Sequence, residues 1–213
     1  MKRSTLAILD ELETRYPTLS RLRESILNAY SIIEETYKRG GKLLLCGNGG
    51  SAADSEHVVG ELLKSFKKCR KIDEDVYEAL DNFGENGVLL KNTLEGSLRA
   101  ISLTSHLSLT TAFANDKEPS VVFAQQLYGL ADKGDVLVAF STSGNSKNCV
   151  LAATLAKVMG VKVISFTGEK ISKLSALSDV NINVPETETY KIQELHLPIY
   201  HALCAMLEEE FFN

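Results

Sequence analysis

Proline is scarce, with four residues in 213, and no Ser/Gly-rich stretch, internal repeat or low-complexity tract interrupts the chain. A flexible linker between domains is therefore not expected. At 44% hydrophobic residues, the length suits one sizeable domain with a proper core. Cysteine is scarce too. Cys46, Cys69, Cys149 and Cys204 form no C-x-x-C pair, and their spacing suggests neither a zinc ribbon nor a disulfide framework. Cys46 and Cys204 fall in apolar runs and read as small core residues, so the expected setting is reducing and cytoplasmic. Positive charge is in deficit, with a net charge of -5. Nonspecific nucleic-acid binders draw their affinity from neutralised phosphates, so a nucleic-acid partner is not expected. The one basic run, Lys64, Lys67, Lys68, Arg70 and Lys71, reads as a solvated helix end. No apolar run approaches bilayer length, and Asp10 and Glu11 break the segment after Met1-Lys2-Arg3, so neither a membrane span nor a signal peptide is expected.

What the chain does contain is an alternation of helical and strand patterns. Residues 4–16 and 19–39 carry leucine and isoleucine stripes at helical spacing, separated by Pro17 and stopped by Gly40-Gly41. Lys42–Cys46 is a short apolar run between glycines, read as a buried strand, with a helix from Ser51 to about Phe66. Further strands are expected at Ala100–Leu103, Asp135–Phe140, Lys162–Phe166 and Val180–Val184. Helices are expected at Ser105–Phe113, Val121–Ala131, after Ser146 to about Met159, near 171–177 and over 189–211. The alternation predicts an α/β fold, a three-layer αβα sandwich with a parallel sheet. Ligands in such sheets bind at the carboxyl ends of the strands, which singles out the loops after Cys46, Leu103 and Phe140.

The first of these loops is Gly47-Asn48-Gly49-Gly50-Ser51. Its glycines permit a sharp turn and close approach to a ligand at a helix N-terminus, and Ser51 is a plausible N-cap. Gly47-x-Gly49-x-x-Ala52 also fits a loose dinucleotide pattern, but that fingerprint needs a second strand and an acidic residue about 20 positions on. The region Lys64–Glu74 supplies no such strand. The other loop, Ser141-Thr142-Ser143-Gly144-Asn145-Ser146, opens a helix with four hydroxyls. One hydroxyl would serve as a cap; four in six residues suit a phosphate dianion. No G-x-x-x-x-G-K-[ST] sequence occurs, which excludes a nucleotide P-loop.

Candidates for proton chemistry are few. His57 and Glu61 lie four apart and share a helix face. Gln193 and His201 lie on the last helix, roughly 80° apart around its axis. His196 and Pro198 fall between them, and a proline inside a helix is unusual. For each group a packing role is a reasonable reading from spacing alone. His106 follows the Ala100–Leu103 strand with no decisive role, and Asn115-Asp116 reads as a helix stop.

Together, Cys-Gly-Asn-Gly-Gly-Ser after one strand, Ser-Thr-Ser-Gly-Asn-Ser after another, and Ile192-Gln193-Glu194-Leu195-His196 resemble the sugar isomerase (SIS) domain, and within it the bacterial phosphoheptose isomerase group. The resemblance covers nearly the whole chain, 1–213 as a single SIS domain. It implies a five-stranded parallel sheet with N-terminal helices, a homotetramer with active sites between subunits, and conversion of sedoheptulose 7-phosphate to D-glycero-D-manno-heptose 7-phosphate. It also implies roles for individual residues. Ser141, Thr142, Ser143 and Ser146 would hold the phosphate. Asn48, Gly49, Gly50, Ser51, Asn115, Asp116 and Gln193 would line the sugar. His57, Glu61, Gln193 and His201 would bind one zinc per subunit, and Glu61 and His201 would act as base and acid. The implied pathway is heptose for surface polysaccharide. One departure stands out: the stretch after Glu61 is longer than usual for the group by roughly twenty residues, an inserted helical excursion at about 68–97 with a Gly84–Gly87 turn. It leaves the exact sugar open.

Two other functions compete. A relative on this fold binds a replication initiator without catalysis, but lacks the equivalents of Glu61 and His201, which this chain keeps. An isomerase or sensor for a different phosphosugar would share both loops.

Overall fold

The computed structural model describes residues 1–212. Five short runs form one parallel sheet: β1 (Leu43–Cys46), β2 (Ala100–Ser102), β3 (Val136–Phe140), β4 (Lys162–Thr167) and β5 (Val180–Asn183), in spatial order β2-β1-β3-β4-β5. Every residue of β1 and β3 is buried, as expected of strands covered on both faces. Leu43 pairs with Ala100 on one side and Val136 on the other.

Among the described residues ten α-helices surround the sheet: α1 (Arg3–Arg15), α2 (Arg23–Lys38), α3 (Gly50–Leu63), α4 (Glu74–Ala79), α5 (Gly84–Thr93), α6 (Leu107–Asp116), α7 (Val122–Leu130), α8 (Lys147–Met159), α9 (Lys173–Leu177) and α10 (Thr189–Phe211). The strand period of two divides the core. Leu43, Leu45 and Val138 face Leu9, Ile26, Leu62 and Leu203 from the N-terminal helices, α3 and α10. Leu44, Leu137 and Ala139 face Phe123, Leu127, Ala152 and Ala156 from α7 and α8. The small alanines let α8 approach the sheet closely, and Gly160 ends it in the left-handed conformation at φ 72°. The result is the expected three-layer αβα sandwich. The chain leaves β1 toward β2 and returns on the other side as β3. The loops after β1 and β3 therefore flank the switch point where α/β sheets bind ligands.

Some local expectations are corrected. Pro17 opens a 3-10 turn, Pro17–Leu22, so α2 starts at Arg23 rather than at residue 19. The helix after the first loop ends at Leu63. Gly84 and Gly87 form no separate turn but lie within α5, where a Cβ on Gly87 would stand 1.9 Å from the Leu80 carbonyl oxygen. The basic run is not wholly solvated: Arg70 is buried. Residues 74–93 form the helical excursion α4–α5, with Phe83, Val88 and Leu89 exposed. Among the described residues no helix is long and apolar enough to cross a membrane. The four cysteines are free thiols, Cys46, Cys149 and Cys204 buried and Cys69 exposed.

Candidate active site

The first loop turns as tightly as its glycines allow. A Cβ on Gly47 would stand 2.3 Å from the Ser51 carbonyl oxygen, and Gly49 sits at φ 57°. Gly49, not Ser51, is the residue that caps α3. Ser51 lies inside the first turn, buried, and its side chain does not cap, which corrects the sequence expectation. Asn48 points across the switch point. Its amide donates to Asn148 Oδ1 at 2.9 Å and accepts from Asn148 Nδ2 at 2.8 Å, tying the first loop to α8.

The second loop folds on itself. The hydroxyls of Ser141 and Ser146 lie 3.0 Å apart, the Asn145 N–H donates to Ser143 Oγ, and Gly144 N–H donates to the Ser141 carbonyl. Gly144 sits at φ 64°, and an added Cβ would meet Ser172 Oγ at 2.0 Å, so only glycine fits there. α8 begins at Lys147, directly after Ser146, and no side chain caps it. The Cys149 N–H of its first turn donates to Asn148 Oδ1 at 3.0 Å; the earlier N–H groups of that turn and the loop hydroxyls form a donor set suited to an anion.

α10 meets both loops. Gln193 packs against Gly50, where a Cβ would stand 2.6 Å from its Nε2. Ile192 packs beside Gly168, whose N–H donates to the Thr142 carbonyl at 2.9 Å. One turn deeper, α3 and α10 bring three titratable groups to one place. His57 Nε2 lies 3.1 Å from Glu61 Oε1 and 3.4 Å from His201 Nε2. Glu61 and His201, 140 positions apart, thus sit within one imidazole of each other in a single subunit. Burial lowers the His201 pKa, and the neighbouring His57 lowers it further, against a smaller upward pull from Glu61. Asn115 and Asp116 bond each other at the exposed end of α6, with no hydrogen bond to either loop.

Several functional neighbours escaped the sequence. Tyr200 Oη bonds Asp54 Oδ1 at 3.2 Å and His57 Nδ1 at 3.1 Å. Burial raises the Asp54 carboxyl, and burial together with Asp54 holds the Tyr200 phenol well above its ordinary value. Asp54 is three residues before His57, so it shares that helix face, a signal the spacing did carry. Asn148 stands just past the serine-rich loop. Nothing local marks Tyr200 beyond its place beside His201. His106, exposed, bonds the buried Gln126 at 2.7 Å and reads as support for the β2–α6 loop.

Do these residues fit a zinc ion? Among the described residues no group of three His, Cys, Asp or Glu side chains is arranged to hold a metal as it stands. The donors nonetheless suit one. The separations of 3.1 and 3.4 Å about His57 Nε2 bracket the edge of about 3.3 Å for a tetrahedron with zinc–ligand bonds of about 2.0–2.1 Å. Glu61 Oε2 is buried with no hydrogen bond, its nearest cation being Lys64 Nζ at 3.5 Å. Gln193, the fourth residue of the implied set, makes no hydrogen bond to the other three and lies over Gly50.

Known proteins share this fold and sequence pattern. Residues 99–208 match the SIS-domain family model, and residues 10–95 match a second SIS-domain model. A phosphoheptose isomerase of Helicobacter hepaticus is 40% identical over 189 residues, 89% of this chain and 84% of that protein. One of Nitratiruptor is 38% identical over 204 residues, 96% of each chain. The phosphoheptose isomerase structure from Neisseria gonorrhoeae aligns with a TM-score of 0.72 at 32% identity, covering 97% of this chain and 94% of that one. The chain belongs to the phosphoheptose isomerase family of SIS-domain proteins.

Proposed function

We propose that the protein isomerises sedoheptulose 7-phosphate to D-glycero-D-manno-heptose 7-phosphate. The observation that carries this is the meeting of Glu61 and His201 around His57, beside two loops at the switch point of the sheet. The hydroxyls of Ser141, Thr142, Ser143 and Ser146 and the N-terminus of α8 hold the phosphate. Asn48, Gly49, Gly50, Ser51, Asn115, Asp116 and Gln193 face the sugar chain. Ketose-to-aldose conversion moves one carbon-bound proton from C1 to C2 and, in the same direction, one oxygen-bound proton from the C1 oxygen to the C2 oxygen. Glu61 takes the C1 proton as the C1=C2 bond forms, while His201 protonates the C2 oxygen. His201 then recovers the proton of the C1 hydroxyl, and Glu61 returns its proton to C2. A neutral imidazole suits this exchange, and burial favours that form at His201. Each group contributes roughly 10²–10⁴-fold.

His57, Glu61, Gln193 and His201 would hold a zinc ion. When bound, it polarises the substrate carbonyl and stabilises negative charge on the oxygens. The protein is also proposed to be a cytoplasmic homotetramer, with the α4–α5 excursion near a subunit contact. The initiator-binding role is not favoured, because Glu61 and His201 are both kept and the relatives compared above are isomerases.

The test is incubation of purified protein with sedoheptulose 7-phosphate in D2O, followed by NMR. Deuterium at C2 of a newly formed aldose is the expected result. Glu61→Gln should fold normally and lose turnover; full activity in that variant refutes the role of Glu61. A panel of other ketose phosphates, with and without zinc, fixes the sugar, and light scattering fixes the oligomer.

A further inference from the structure

Tyr200 is 2% exposed, yet its hydroxyl touches two polar groups on α3. A phenol carries one proton, and a carboxylate has none to give. The proton therefore goes to Asp54 Oδ1, and the phenol oxygen is left to accept from His57 Nδ1–H. We infer that Asp54 and Tyr200 are positioning residues that hold His57 as the Nδ1–H tautomer, with the Nε2 lone pair aimed at Glu61 and His201. The inference rests on the isomerase reading above and deepens it.

The consequence lies at Glu61. With Nε2 unprotonated, His57 offers no hydrogen bond to Glu61 Oε1 at 3.1 Å, so that oxygen is left open to a proton or a cation. Two acceptors facing each other at that distance also call for a cation between them. If the tautomer reversed, Nε2–H would donate to Oε1 and block that position. Partners that orient an imidazole ligand through its other ring nitrogen are worth roughly 10–100-fold in metal affinity or activity. The Tyr200 ring itself is held by packing, edge-on to His57 and Phe140 with centroids 5.6 and 6.0 Å away. Tyr200→Phe should therefore remove the relay without removing the ring.

The experiment is long-range ¹H–¹⁵N NMR of the imidazoles in the full-length protein, with His57→Gln used to assign the His57 signal among four histidines. Wild type should show His57 protonated at Nδ1. Tyr200→Phe should show a mixture. Asp54→Asn should reverse the tautomer, because its amide donates to the phenol oxygen and turns the phenol proton toward Nδ1. Binding of zinc alone, by calorimetry, should weaken at least tenfold in both variants. Their kcat should fall at least tenfold while KM stays within twofold. An unchanged His57 tautomer in Tyr200→Phe, or unchanged zinc affinity in both variants, overturns the inference. A wild-type protein inactive on sedoheptulose 7-phosphate would overturn the isomerase reading, and the tautomer and zinc measurements would still decide this one.

Discussion

Arg70 and Glu208 form an ion pair closed to solvent, Nε to Oε1 at 2.7 Å, with side-chain exposures of 0% and 1%. Arg70 also donates to the carbonyls of Leu62 and Glu61, and Glu208 accepts from the N–H groups of Phe66, Lys67 and Lys68. The end of α3, which carries His57 and Glu61, is thereby fastened to α10, which carries His201. Burial raises the Glu208 carboxyl, but the backbone donors and Arg70 outweigh it and hold it below its ordinary value.

Breaking that pair on one side should be severe. Glu208→Ala leaves a buried guanidinium without its carboxylate, a loss of about 3–5 kcal/mol. Urea unfolding should show it as a large drop in midpoint. The double variant Arg70→Met with Glu208→Leu should recover part of the loss, since well-packed apolar replacements of buried pairs are often close to neutral. A midpoint unchanged in Glu208→Ala would mean the pair contributes little.

The Asn48–Asn148 exchange joins the sugar-facing loop to the phosphate-facing helix. Two neutral hydrogen bonds contribute about 1–3 kcal/mol, and partial exposure places this pair at the low end. Asn148→Ala should raise KM about tenfold with little change in unfolding midpoint. If Asn148 acts by holding Asn48, the double variant should lose less than the sum of the singles. Strict additivity in steady-state kinetics would separate the two residues.

Much of this was legible in the sequence, for physical reasons that also explain the gaps. Leu43–Cys46 and Val136–Phe140 are apolar throughout, and strands covered on both faces must be. The two loops were visible because glycine and serine clusters between strand and helix have few other uses. Ser51 misled because N-capping was inferred from residue type, whereas Gly49 already takes the turn that starts α3. Arg70 misled more instructively. It lies among lysines, and nothing nearby in sequence reveals that Glu208, 138 positions away, will enclose it. Tyr200 and Asn148 stayed hidden for the same reason: their partners are 143 and 100 positions distant.

Gly144 offers a test of the anion loop. Its φ of 64° and the pressure from Ser172 leave no room for a side chain. Gly144→Ala must displace either the serine-rich loop or the start of α9, whose Leu174 N–H donates to the Gly144 carbonyl. Affinity for the phosphosugar should fall more than tenfold, measured by calorimetry against inorganic phosphate as a reference ligand. Unaltered phosphate and phosphosugar binding would show that this loop does not hold the anion.

His196 predicts how stability follows pH. It is fully buried against Phe140 and Phe166, donates through Nε2 to the Thr167 carbonyl at 3.3 Å, and leaves Nδ1 without a partner. Burial lowers its pKa to about 4, opposed only by that one hydrogen bond. The unfolded chain holds an ordinary imidazole near pH 6.5, so it binds the proton first as pH falls. The contribution of His196 is therefore complete above about pH 6.5 and is lost progressively down to about pH 4, by about 3 kcal/mol in all. Urea midpoints at pH 7, 6, 5 and 4.5 should fall accordingly, with His201 and the paired carboxylates adding to the slope. His196→Gln removes one titrating group from the interior. The wild-type curve should exceed the variant's in steepness by up to about 1.4 kcal/mol per pH unit. Parallel curves would mean that His196 meets its proton at no cost, and that the space beside Thr167 is wetter than its burial implies.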